Sequence, residues 1–375
     1  MYVLWRILVK EVLQLRHDRR MIPVMIVGPL VQLLALGFAA NTDVQHLPML
    51  LLDLDRTEDS RRLVDAFLGS GYFDLAGVAA TQSAIEPWLI EGEAEIAVVI
   101  ERGYGADLAG ERTARVQIIA DGTNSNSAVV GLGYAGRIVA AEGGKLVEKR
   151  LERLPEAKRP GRTDLRPRVW YNPDLKSRWF YVPAITALTL MLLTLILPSM
   201  AVVREREIGT LEQISVTPIR PWQLILGKLL PFGFIGVLNV CLVTAAARIV
   251  FGVPFRGSFL LLLLLTLPFL VAMLGLGLFA STLVSTQQQA MMTSIFLLMV
   301  PMIYLSGLIF PIENMPHGIQ LATYAIPLRY YNHVIRGLFL KASGLDVLWR
   351  EGLILTGFAI LNLTVASLRF RKSLD

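Results

Sequence analysis

The chain has 375 residues, 54% hydrophobic and only 18% charged, with a mean hydropathy of +0.54. A soluble domain carries about 25% charged residues, so a purely water-soluble fold is excluded. The net charge of +6 does not indicate nucleic acid, because the lysines and arginines flank apolar blocks instead of forming a phosphate-binding patch.

Residues 1–20 carry an apolar stripe of Leu4, Trp5, Leu8, Val12 and Leu15, ringed by Arg6, Lys10, Arg16, Arg19 and Arg20. That pattern predicts an amphipathic helix lying in the headgroup region. Residues 21–40 are uncharged and, as a helix, about 30 Å long, enough to cross the hydrocarbon. A cleaved leader has a shorter apolar core, about 7–15 residues, and Phe38-Ala39-Ala40 is a poor cleavage site, so this reads as a retained first span.

Residues 41–179 read as an α/β domain inserted after that span, outside the cytoplasm. Strands are predicted at 48–54, 72–78, 96–100 and 116–120, and helices at 57–68, 81–91 and 124–154. Strands alternating with helices argue an α/β layer. The stretch 155–178 is basic and proline-punctuated, a return segment to the bilayer. Residues 180–375 supply spans at 181–203, 229–251, 258–281, 290–311 and 352–369, making six with the first. Tight turns are expected at 252–257 and 285–289, and a longer outer connection at 311–350, punctuated by Pro311, Pro316 and Pro327.

Arg16, Arg19, Arg20, Arg204, Arg206, Arg220, Lys228, Arg369, Arg371 and Lys372 fall on one side of six spans, which places both termini in the cytoplasm. Arg329, Arg336, Lys341 and Arg350 run against that rule.

The spans hold almost no ionisable group, so they lack the deep carboxylate or histidine of an ion-coupled carrier. Their deep polar groups are Asn239, Thr244, Thr266, Ser294 and Asn362, which suit helix–helix hydrogen bonds or, for Asn239, Thr244 and Ser294, a substrate path. No nucleotide-binding G-x-x-x-x-G-K-[ST] occurs, and Gly131, Gly133 and Gly136 lie inside a helical stretch, where close packing is their reading. The four histidines have no metal-ligand spacing, and the single cysteine, Cys241, sits in a span. Asp53, Asp55, Glu58 and Asp59 suit strand-end and helix-cap roles better than a cation site.

One long polar run interrupts the spans, 204–222. Pro218 and Pro221 divide it, and Thr217 before Pro218 reads as a helix cap. It is either a solvated loop or a small amphipathic helix whose charged face is free for a partner.

Here the pieces resemble a family, the permease subunits of ABC-2 type exporters, in particular the bacterial drug-efflux permeases of the YbhR, YbhS and YhhJ type. Arg204-Glu205-Arg206-Glu207 with Gly209-Thr210-Leu211-Glu212 and Thr217-Pro218 resembles the cytoplasmic coupling segment. Asp121 to Ser127 resembles the motif that opens the insert's long helix, and Trp170-Tyr171-Asn172-Pro173 the motif before the second span. Leu305-Ser306-Gly307, Phe310-Pro311 and Met315-Pro316 resemble the outer loop before the last span.

The resemblance implies a non-catalytic membrane subunit in a bacterial inner membrane, with ATP and magnesium bound by a separate ABC ATPase and no cofactor on this chain. It implies pairing with a second permease, the same or a related chain, and leaves room for a periplasmic adaptor. Glu205, Arg206, Glu207, Gly209, Thr210, Leu211, Glu212 and Pro218 would meet the ATPase. Ser306, Gly307, Phe310, Pro311, Met315 and Pro316 would form the outer gate, in a re-entrant loop spanning 306–350. The cargo would be hydrophobic or amphipathic and drug-like. Alternatives are export of lipid, glycolipid or polysaccharide, and a membrane-anchored assembly or signalling protein.

Overall fold

A computed structural model describes residues 2–17, 21–40, 46–110, 112–152, 170–173, 176–209 and 221–372. The chain divides into two compact units, Thr42–Pro167 and the remainder, Met1–Asn41 with Arg168–Asp375.

The first unit is a four-stranded sheet in the order β2-β1-β3-β4. Its strands are β1 (Leu47–Asp53), β2 (Phe73–Val78), β3 (Ile96–Ile100) and β4 (Val116–Ala120). β1 runs parallel to β2 and β3, and β4 antiparallel to β3. β3 is apolar throughout, and β1 is apolar up to its last residue, Asp53, because both faces are covered. Alternate residues separate the two cores. Leu47, Met49, Ile96, Val98 and Ile100 pack with Leu63, Phe67 and Ala135; Leu50, Leu52, Ala97 and Val99 pack with Ile85 and Ala94.

The covering helices are α3 (Glu58–Leu68), α4 (Ile85–Ile90), α5 (Tyr104–Ala109) and the long α6 (Ser125–Glu152). The short α5 was not foreseen. The acidic cluster is capping chemistry. Asp53 accepts from the amides of Asp55 and Arg56 and from the Ser60 hydroxyl. Asp55 accepts from the Thr57 hydroxyl at 2.6 Å and the Gly103 and Gly105 amides at 2.8 and 2.9 Å. The opening of α6 is also a cap: Thr123 donates twice to Asp121, and Asn124 accepts from the Ser127 amide. Of the three glycines in α6, Gly131 packs against Leu47 and Ile96, whereas Gly133 and Gly136 face open space.

In the second unit, α1 (Tyr2–His17) and α2 (Met21–Ala39) are followed by α7 (Ser177–Glu207), α8 (Pro221–Phe251), α9 (Phe259–Ser281), α10 (Gln287–Leu305) and α13 (Leu345–Lys372). Five helices, α7 to α10 and α13, are long and apolar enough to cross a membrane among the described residues; α2 is a shorter apolar helix. Six spans were expected. α7 is the central helix, the most deeply buried of the five, and contacts α2, α8 and α9. The Asn172 side chain holds its start by accepting from the Lys176 amide and donating to the Lys176 carbonyl, both at 3.0 Å.

The spans pack by close approach. A side chain on Gly277 would strike the Leu195 carbonyl at 2.5 Å, so α7 and α9 meet there only because the residue is glycine. Pro29 in α2 removes the amide that would bond the Met25 carbonyl. Asn239 on α8 donates to that carbonyl at 2.9 Å instead.

The 311–350 connection is not a loop. It contains α11 (His317–Thr323) and α12 (Pro327–Arg336), which continues as a wide turn over Gly337–Lys341. Leu328, Tyr331, Val334, Ile335, Leu338 and Phe339 bury α12 and its extension in the span core. The Tyr331 hydroxyl is hydrogen-bonded to Thr266 at 2.7 Å, and its ring stacks on Phe269.

Candidate functional site

The candidate site is the polar end of α7, where the segment expected to meet an ATPase begins. A helix end leaves carbonyls without amide partners, and here side chains of successive residues reach in different directions. Glu205 turns inward. It is 4% exposed and pairs with Lys10 of α1 at 2.5 Å and with Lys228 of α8. Lys228 is 3% exposed and also pairs with Glu11 at 3.3 Å, while Lys10 pairs with Glu11 at 3.1 Å. Two carboxylates and two ammonium groups thus close a ring across α1, α7 and α8. Charges buried this far remain tolerable only while each has a partner. Burial pulls the Lys10 ammonium down, but the Glu205 hydrogen bond and the charges of Glu11 and Glu205 hold it above its ordinary value.

Arg206 and Glu207 reach the turn between α9 and α10. Arg206 donates to the Val284 and Ser281 carbonyls at 2.9 and 3.3 Å. Glu207 accepts from the Gln287 amide at 2.9 Å and from the Gln287 side chain at 2.5 Å. Gln287 opens α10, behind a capping box formed by Thr286 and Gln289. Gly209 follows with a φ of +78°, a conformation that a side chain would strain. Thr210, Leu211, Glu212 and Pro218 lie outside the described residues.

The arrangement is a mechanical joint. One helix end is tied by ion pairs to α1 and α8, and by hydrogen bonds to the α9–α10 turn. These contacts tie the end of α7 to four elements, α1, α8, α9 and α10. Glu205, expected to meet a partner, has its carboxylate enclosed by lysines of its own chain. Sequence reading missed Lys10, Glu11, Lys228 and Gln287 as participants. The available signal was Lys228, a cation at the edge of an apolar run, which requires a partner.

The expected gate residues lie at the opposite end of α7's run. Ser306 is buried and donates to the Ile303 carbonyl at 3.1 Å. The Gly307 carbonyl accepts from Arg336 at 3.4 Å. Phe310 is exposed and stacks with Tyr304. Pro311 precedes a short 310 turn, the Met315 carbonyl accepts from Gln320 at 2.8 Å, and Pro316 leads into α11. Of the expected path residues, Asn239 ties α8 to α2, whereas the buried hydroxyls of Thr244 and Ser294 have no hydrogen-bond partner. Ser294 lies in a widened π-type stretch of α10, Thr293–Met299. Among the described residues no group of histidine, cysteine or carboxylate side chains could hold a metal ion.

The sequence profile of the ABC-2 family transporter proteins matches residues 19–368. The chain is 32% identical over 348 residues to the probable multidrug ABC transporter permease YbhR of Escherichia coli, covering 93% of this chain and 92% of the relative. It is 31% identical over 373 residues to the probable multidrug ABC transporter permease YbhS of Escherichia coli, covering 98% and 96%. It is 25% identical over 367 residues to the Escherichia coli inner membrane transport permease YhhJ, again covering 98% and 96%.

Proposed function

Because the chain belongs to the ABC-2 family of transporter proteins, we propose that it is the permease subunit of an ATP-driven exporter and moves a hydrophobic or amphipathic, drug-like compound out of the cytoplasm or the inner leaflet. It is a multi-pass membrane protein, and force reaches it from an ABC ATPase docked beneath the joint. α2 serves as the sixth span, both termini are cytoplasmic in a bacterial inner membrane, and the α/β unit stands outside. A second permease, identical or related, completes the pathway, and the outer unit is where an adaptor would dock.

The joint at the end of α7 carries this reading. Glu207 is exposed and Gly209 half-exposed there, both within the segment that resembles the coupling motif. Glu205 transmits displacement to α1 and α8, and Arg206 with Glu207 to the α9–α10 turn. Similarity to two probable multidrug permeases supports a drug-like cargo over lipid, glycolipid or polysaccharide. The test is a pull-down of the tagged chain in mild detergent. An ABC ATPase and a second permease copurify if the reading holds. Recovery of the chain with neither supports instead an anchoring or signalling role.

A further inference from the structure

At the end of the unit opposite the joint, α12 buries polar groups that bond to nothing. Asn332 is 2% exposed, and both its side-chain amide nitrogen and its carbonyl oxygen lack a hydrogen-bond partner. One helical turn later, on the same face, Arg336 has its Nε and Nη2 sealed from solvent and equally unpartnered. Its guanidinium lies 3.8 Å over the Phe180 ring, and only Nη1 reaches an acceptor, the Gly307 carbonyl at 3.4 Å. The 306–311 stretch supplies that carbonyl and therefore caps the guanidinium.

A buried guanidinium with two unused nitrogens is unfavourable unless an acceptor arrives, and its planar fork matches carboxylate and phosphate oxygens two at a time. A stacked aromatic fixes the fork's plane while leaving its edge for an anion. We propose that Arg336 and Asn332 form an anion-binding site for the phosphate or carboxylate headgroup of an amphipath, closed in this conformation by the 306–311 stretch and exposed when that stretch lifts. Arg336 supplies paired donors to the oxygens, and Asn332 supplies an amide donor behind them. The site explains why a cation sits at this end against the charge pattern of the loops: it serves a ligand and not topology. That the anion belongs to the exported compound rests on the export reading; the site itself does not.

The test uses the purified full chain in neutral detergent, with thermal unfolding followed on adding dodecyl phosphate, inorganic phosphate or a matched neutral amphipath. Dodecyl phosphate is expected to raise the unfolding temperature of the wild type, and the neutral amphipath to leave it unchanged. Arg336→Met should unfold no lower than the wild type without ligand, since an unpaired buried charge has been removed, and should lose the shift. If that variant does not fold, Arg336→Lys carries the test, keeping the charge but not the fork, with less than half the wild-type shift expected. A shift with inorganic phosphate as well identifies a free-anion site; a shift with dodecyl phosphate alone identifies a headgroup site. No shift in the wild type, or an equal shift in the Arg336 variants, overturns the proposal. A shift that depends on Arg336 in a chain that exports nothing would sink the export reading and leave the site standing.

Discussion

The two ends of the membrane unit both bury charge and treat it in opposite ways. At the Glu205 end, Lys10, Glu11, Glu205 and Lys228 form a closed ring in which every charge faces an opposite one. At the Arg336 end, a guanidinium and a neighbouring amide are buried with most of their hydrogen-bonding atoms unmatched. Pairing within the chain makes a joint that holds its shape and can pass on a push. Leaving groups unmatched makes a place whose stability depends on something arriving. A transporter needs both, and here they sit at opposite ends of helices that are otherwise nearly free of charge.

The contrast can be broken first at the ring. Glu205→Gln leaves Lys228 buried against Glu11 alone and should cost about 3 kcal/mol, the lower part of the range for breaking a buried pair. Thermal unfolding in detergent measures this, and adding Lys228→Met should restore at least half of the loss. A double variant as unstable as the single one would mean that the pairing is not what holds the joint.

A smaller effect is expected in the α/β unit, where Asp55 accepts three hydrogen bonds. The Thr57 hydroxyl first, and the Gly105 and Gly103 amides with it, hold the Asp55 carboxyl below the usual carboxylate value of 3.8 against an opposing effect of burial. Because the folded value is the lower one, the stabilisation is present at neutral pH and disappears as pH falls through that lowered value. Asp55→Asn should therefore cost about 1–2 kcal/mol at pH 7 and nothing in strong acid, as unfolding curves against pH will read. The smallest effect belongs to Lys10, whose side chain is 45% exposed. Lys10→Met should cost about 1 kcal/mol or less, because water screens the half-exposed Lys10 and Glu11 and Glu205 both keep Lys228 as a partner. A larger loss would mean that α1 is held mainly through this residue.

What the sequence reveals differs between these regions for physical reasons. The strand at 96–100 is plain because five consecutive apolar residues sit between turn signals, and the spans are plain because length and hydropathy suffice. The insert's caps are legible because Asp53 and Thr57 act on neighbours in the chain, whereas the bonds from Gly103 and Gly105 to Asp55 are not legible. α12 is not, since ten residues bearing Arg329, Asn332, His333 and Arg336 are too short and too polar to read as a membrane element. Its apolar stripe of Leu328, Tyr331, Val334 and Ile335 was the clue, and it marks a helix folded back among the spans. The ring at Glu205 joins residues about two hundred positions apart, and nothing local in Lys10 or Glu11 announces the partner. The coupling motif drew attention to this end of α7 but did not reveal that Glu205 turns inward, because a motif gives the neighbourhood of a residue and not the direction of its side chain.

The most direct test of the account is export by the chain reconstituted with its copurified ATPase, comparing the wild type with Glu207→Ala/Glu212→Ala. Loss of most export with ATP hydrolysis and membrane insertion retained is the predicted result. Undiminished export by that variant would contradict the claim that force enters the permease at this end of α7.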